Sequence, residues 1–176
     1  GNIITALPVP FGMVRDEADG IAAAINKQPH PAALILEHEL DPFDEPGVTA
    51  GMHRIITASE PGAGLLRSDT SALGVAANGG IIGAVGARSG QRHIYPSDIG
   101  GGPAHLSFVI PELLGYYTHN RFQRAYFSDP TLPAWRCGCW FCAGRDLTWI
   151  GAQPADLQHG AAFQHSAAAL AGVAQW

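Results

Sequence analysis

Between Ala32 and Val85 the chain repeats one pattern, in which short and almost wholly apolar runs alternate with runs that suit helices. AALIL at residues 32–36, LLR at 65–67 and IIGAV at 81–85 lack the alternation of a strand with one wet face. Strands of that composition belong to parallel sheets covered on both faces. TAGMHRIITA (49–58) and SALGVAANG (71–79) provide the intervening helices, and Asp69 or Thr70 stands where a cap for the second is needed. The order strand, helix, strand, helix, strand places the chain in the α/β class. A complete eight-unit barrel needs about 250 residues, whereas this chain has 176. The expected architecture is therefore a partial TIM-barrel-like body, the rest of any barrel lying outside the chain or being reduced.

Around this repeat, RDEADGIAAAIN (15–26) reads as one helix stopped by Pro29 and Pro31. GARSGQRHIYPSDIGGGP (86–103) reads as a glycine-rich loop directly after a strand, where parallel α/β folds place ligand-binding groups. Its Arg88, Arg92 and His93 are candidate phosphate or carboxylate ligands, since arginine's planar fork suits both. LSFVIPELLGYYTHNRFQ resumes an apolar pattern in which Pro111 opens a helix or breaks a longer one.

Nine of the ten basic residues are arginine, and the net charge is −5. No basic stripe of the kind a broad nucleic-acid footprint requires is visible, so nucleic acid is expected only at a local site. No run of about 20 apolar residues or signal peptide is present, which predicts a non-membrane, cytoplasmic protein. Glu37 and Glu39 share one face of an extended segment while His38 points away, a poor three-residue ligand set. His119 and Asn120, near Arg121 and Arg124, form a further polar cluster.

The only cysteines, Cys137, Cys139 and Cys142, stand together in WRCGCWFC. Three cysteines cannot all pair within the chain, and C-x-C-x2-C can turn three thiolates toward one ion. A later histidine would complete a Cys3His shell around a structural Zn2+, filled and therefore closed to substrate. On a helix over 155–174, His159 shares a face with Phe163, Ala167, Leu170 and Ala174, which selects it as the ligand. His165 serves instead if the helix begins later. The expected division is an α/β barrel-like portion over 1–130 and a Cys3His zinc-binding helical subdomain over 131–176. Trp135, Trp140 and Phe141 could seal the knuckle against its own core or another subunit.

The cysteine spacing with its later histidine, together with SALGVAANGGIIGAVG and the following ARSGQRH, resembles the C-terminal barrel and zinc-binding region of the queuine/archaeosine tRNA-guanine transglycosylase superfamily. The resemblance implies exchange of a guanine for a deazapurine base in nucleic acid, through an aspartate nucleophile and a second aspartate at the base pocket. Asp69, at a strand end, is the corresponding nucleophile candidate. Asp44, beside Phe43 in LDPFDEPG, is the second, and Glu37 is an alternative to it. The family also contains assemblies with a noncatalytic subunit, so the resemblance equally implies a homodimer or an accessory role beside a partner subunit.

Overall fold

The computed structural model describes residues 3–86, 89–92, 94 and 105–175. Of the predicted ligand residues, Arg88 and His93 lie outside the described residues. The chain divides into two compact units, Gly1–Gly101 and Gly102–Trp176, whereas the sequence suggested a division after residue 130. Residues Phe108–Ile110 account for the difference, because they pack in one core with Cys137, Cys142, Leu147 and Ile150.

In the first unit, β1 (Thr5–Pro10), β2 (Ala32–Glu37), β3 (Ala63–Ser68) and β4 (Gly83–Val85) form a parallel sheet in that order. The connecting helices are α1 (Phe11–Asp16), α2 (Ala18–Ile25), α3 (Val48–Ala58) and α4 (Ser71–Ala77), and a short α5 (Ser89–Arg92) follows β4. This is the expected α/β body, a partial, barrel-like wall. Its core joins Leu34, Leu36 and Leu65 of the sheet to Val14, Ile25, Met52 and Ile55 of the helices. The apolar character that identified the strands is thus used in burial against a helical layer.

Two local departures have physical causes. The helix expected over 15–26 is two helices, because Glu17 leaves the helical region at φ −127° and ψ 28°. The resulting bend lets α1 approach α3 so closely that any side chain at Gly51 would collide with the carbonyl oxygen of Val14. Strand β1 was hidden by Pro8 and Pro10. The amide of Thr5 donates to the Pro31 carbonyl at 2.9 Å, so residues 5, 7 and 9 face β2 and the prolines occupy outward positions that need no N–H.

In the second unit, β5 (Ser107–Ile110) and β6 (Gly115–Thr118) form an antiparallel hairpin. It is followed by α6 (His119–Ser128), the cysteine knuckle, α7 (Thr148–Gly151) and α8 (Ala155–Val173). Pro111 therefore opens a 3-10 turn between two strands, with Leu114 in the left-handed region at φ 47°. The aromatic and β-branched content of SFVI and GYYT favours the pleat over a helix. Among the described residues, no helix is long and apolar enough to cross a membrane.

Candidate metal centre and a polar edge of the parallel sheet

The cysteines are gathered by a tight reversal. Arg136 and Asp146 form an antiparallel bridge, while Ala143 and Gly144 take left-handed backbone at φ 51° and 83°. The reversal is held by amides donating from Ala143 to the Cys139 carbonyl at 2.8 Å and from Gly144 to the Cys137 carbonyl at 2.9 Å. Amides also point at sulfur, from Cys139 to Cys137 Sγ at 3.5 Å and from Cys142 to Cys139 Sγ at 3.4 Å. The first of these bonds favours the Cys137 thiolate. The exposed Arg145 guanidinium caps the loop through the carbonyls of Cys142 and Phe141 and lies 4.0 Å over the Trp149 ring.

The histidine that meets the cysteines is His165, which corrects the choice of His159. Its Nδ1 lies 3.1 Å from Cys142 Sγ and 3.8 Å from Cys139 Sγ, whereas His159 is exposed on α8. All four ligand atoms of Cys137, Cys139, Cys142 and His165 lie within 4.8 Å of one another. A tetrahedral ion with metal–sulfur bonds of about 2.3 Å requires sulfurs about 3.8 Å apart, so the set can close on one cation with small adjustments. The other face of the ring fits equally well. His165 Nε2 donates to the Val109 carbonyl at 2.7 Å, which turns Nδ1 toward the sulfurs as the ring nitrogen available to a metal.

The incorrect choice came from assuming that Phe163 marks the inward face of α8. Phe163 is 52% exposed. The inward face is Ala162, His165, Ser166 and Ala169, at helical spacings of three and four. Small residues let α8 lie against the edge of β5, where Ser166 Oγ accepts from the Val109 amide at 3.1 Å. Adjacent residues of α8 thereby bind both backbone groups of one β5 residue. The signal was a small-residue stripe with one histidine in it.

Electrostatics within the cluster follow from a shared proton. Cys137 is held down to about 4, first by the Cys142 thiol donating to it and further by His165 and the Cys139 amide, with burial opposing. Cys142, as the donor, is pushed far up by the same bond and by burial, while the Trp149 indole favours its thiolate. A divalent cation would take the place of that proton and neutralise both sulfurs. Three soft sulfurs and one imidazole suit a borderline-soft tetrahedral ion, and the closed shell keeps no position for substrate. Of the aromatic residues around it, Trp135 is buried in the unit's own core, Phe141 is half-buried, and Trp140 is 78% exposed.

In the first unit, polar side chains collect where β2 and β3 end. Asp69 follows β3 and is half-buried; its Oδ1 accepts from the Thr70 amide at 2.8 Å and its Oδ2 lies 3.6 Å from Arg92 Nε. Arg92 is 5% exposed. It faces the carboxylate of Asp69. Neither Asp69 nor Thr70 caps α4 through its side chain. The left-handed turn at Arg67 (φ 52°) bends the end of β3, and the Arg67 guanidinium donates to the Gly90 carbonyl at 2.8 Å, tying α5 to this edge.

Asp44 sits exposed on the 3-10 turn Pro42–Asp44. The residue turned inward is Asp41, which sequence reasoning passed over. Asp41 accepts from the Phe43 amide at 3.0 Å, and its carboxyl is pushed up by burial and by the charges of Asp69 and Asp44, against the opposing bonds from Phe43 and Ser71. The Ser71 hydroxyl in turn meets Ser68 Oγ at 2.9 Å. A cleft of about 670 Å³ adjoins this group and shares Phe43 and Ser71 with it, Met52, His53 and Val75 forming other walls. Glu37 is half-buried at the end of β2, and His38 lies 3.6 Å from Glu45, outside both groups. In the second unit His119 is half-buried, held down by burial, and stacked on Phe122, while Asn120, Arg121 and Arg124 are exposed. Comparison with known proteins adds no relative to this picture, since no family model, curated protein or solved structure matches the chain.

Proposed function

We propose that this chain is a transglycosylase-related protein acting on a guanine or deazapurine base in nucleic acid, with Asp69 as nucleophile and Zn2+ as a structural ion. The observation that carries the reading is the buried Arg92 beside Asp69 at the end of a parallel strand. A guanidinium at that distance orients the carboxylate, and strand ends are where parallel α/β folds place reacting groups. A carboxylate can attack an anomeric carbon and hold the sugar covalently while the base is exchanged. The Cys3His shell supplies no step. Its part is to fold the second unit, and zinc suits its donor set. Arg88 and His93 remain candidates for a local phosphate contact.

The test is exchange of labelled guanine into RNA and DNA oligonucleotides by the purified chain. Wild type should incorporate label and form a covalent adduct, and Asp69→Asn should abolish both. Exchange that survives this substitution would reject the assignment. A second reading, a noncatalytic zinc-stabilised subunit, is favoured by the exposed Trp140 on the knuckle, which a partner subunit or a second copy would cover. It predicts no exchange by the isolated chain and a mass that doubles, or a complex that forms, through a Trp140-dependent contact.

A further inference from the structure

We infer that Cys139 is an oxidation site through which a peroxide opens the metal shell: its thiolate is oxidised, Cys142 closes a disulfide onto it, and the ion leaves. The inference goes beyond the base-exchange reading and does not depend on it; it rests on the Cys3His set holding an ion. Unequal access to the four ligands carries it. Cys137, Cys142 and His165 are 2%, 0% and 0% exposed, whereas Cys139 is only half-buried. Its neighbours Gly138 and Trp140 are both exposed, and a Cβ added at Gly138 would meet nothing within 4 Å. The shell thus meets solvent at the Cys139 corner. A bound ion holds all three sulfurs as thiolates, so protonation does not distinguish them and access decides which one an oxidant meets.

The second sulfur is already in place. The Cys142 amide donates to Cys139 Sγ at 3.4 Å, and the two sulfurs lie 3.8 and 3.1 Å from the same His165 Nδ1. The ligand atoms all lie within 4.8 Å of one another, so these two must close by less than about 3 Å to form a bond of about 2.05 Å. Their C-x2-C spacing is that of redox-active pairs. The step balances with hydrogen peroxide as the oxidant. Cys139 sulfur bonds to one peroxide oxygen, the O–O bond breaks, and hydroxide leaves. Cys142 sulfur then bonds to Cys139 sulfur, the S–O bond breaks, and a second hydroxide leaves. Two solvent protons turn the hydroxides into water, and the two electrons lost by the sulfurs are those that reduce the peroxide. Cys137 and His165 remain, half of the four ligands that a tetrahedral shell needs. Loss of the ion removes its contribution to the fold of the second unit, and a dithiol reductant restores both thiolates by exchange.

The full chain, loaded with Zn2+, is exposed to hydrogen peroxide while metal release is followed with a chromogenic chelator. Its peptides are mapped by mass spectrometry with and without dimedone, which traps sulfenic acid. Wild type should release a full equivalent of Zn2+, carry the dimedone adduct on Cys139 alone, form the Cys139–Cys142 disulfide when dimedone is absent, and take Zn2+ back after dithiothreitol. Cys139→His keeps four ligands but removes the accessible thiolate, and should abolish release. Cys137→His keeps the reacting pair and should release Zn2+ as wild type does. Undiminished release from Cys139→His overturns the inference, as does a first wild-type adduct on Cys137 or Cys142, or release with no disulfide between Cys139 and Cys142. The wild-type peptide map decides between these outcomes even where a histidine variant fails to fold. Zn2+ retained under peroxide overturns this inference alone, whereas a chain that takes up no Zn2+ overturns the Cys3His reading and this inference with it.

Discussion

His165→Ala should unfold the second unit selectively, and its magnitude can be built from the structure. The side chain is fully buried and packs edge-on against Phe108 at 6.0 Å between centroids. Removing it leaves the buried Val109 carbonyl without its 2.7 Å donor, which costs about 1–3 kcal/mol. Exchanging a packed ring for a methyl group adds a cavity cost of about 2 kcal/mol. The metal-free protein should thus lose about 3–5 kcal/mol, and the loaded protein more, since one of four ligands is gone. All four tryptophans, at 135, 140, 149 and 176, fall in this unit, so denaturant titration followed by tryptophan fluorescence reports on it directly. Metal stoichiometry is read in parallel with a chromogenic chelator. His159→Ala, at an exposed site, should keep a full equivalent of metal and change stability by less than about 0.5 kcal/mol. If His165→Ala binds metal with undiminished affinity, or if His159→Ala loses it, the assignment of the fourth ligand is wrong.

Other expectations follow from the same geometry. Acid or a strong chelator should release the metal and melt the second unit, with the first unit's far-ultraviolet signal persisting. Without metal, Cys137, whose pKa is lowered to about 4, stabilises the fold increasingly as pH rises from there toward the ordinary thiol pKa of about 8.5. Cys142 is shifted upward and so costs stability above that point, giving a maximum that urea melts across pH should locate and that bound metal should erase on the alkaline side. Because the Asp41 carboxyl is pushed up in the folded state, stability falls as pH rises through its titration. Asp41→Asn should therefore be more stable than wild type at neutral pH, with the difference vanishing in acid, by thermal melts. Ala143→Gly should gain about 1 kcal/mol by relieving left-handed backbone, measured by chemical denaturation. Gly51→Ala should lose about 3 kcal/mol through the collision with Val14, by the same measurement.

What the sequence disclosed depended on how locally each feature is determined. Strands β2 and β3 announce themselves because a strand covered on both faces needs apolar residues almost throughout, and the cysteine knuckle announces itself because its three ligands lie within six residues. Strand β1 does not, since Pro8 and Pro10 are tolerated only through their outward register, a property of pairing and not of composition. The choice between His159 and His165 failed for a related reason. Helical periodicity ranks faces by apolar bulk, and that rule chose Phe163. Close approach to a strand edge instead selects the least bulky face, Ala162, Ser166 and Ala169, and carries His165 inward with it. Asp41 was obscured by its neighbours in LDPFDEPG, where composition suggests a solvated acidic turn. Only the fold separates Asp44, left exposed, from Asp41, half-buried and bonded to the Phe43 amide. In each case the missed residue meets a partner distant in sequence: Pro31 for β1, Val109 for His165, and Ser71 for Asp41. Distant pairing of this kind makes the chemistry of both groups a property of tertiary structure, even where the residues that hold them can be read from local pattern.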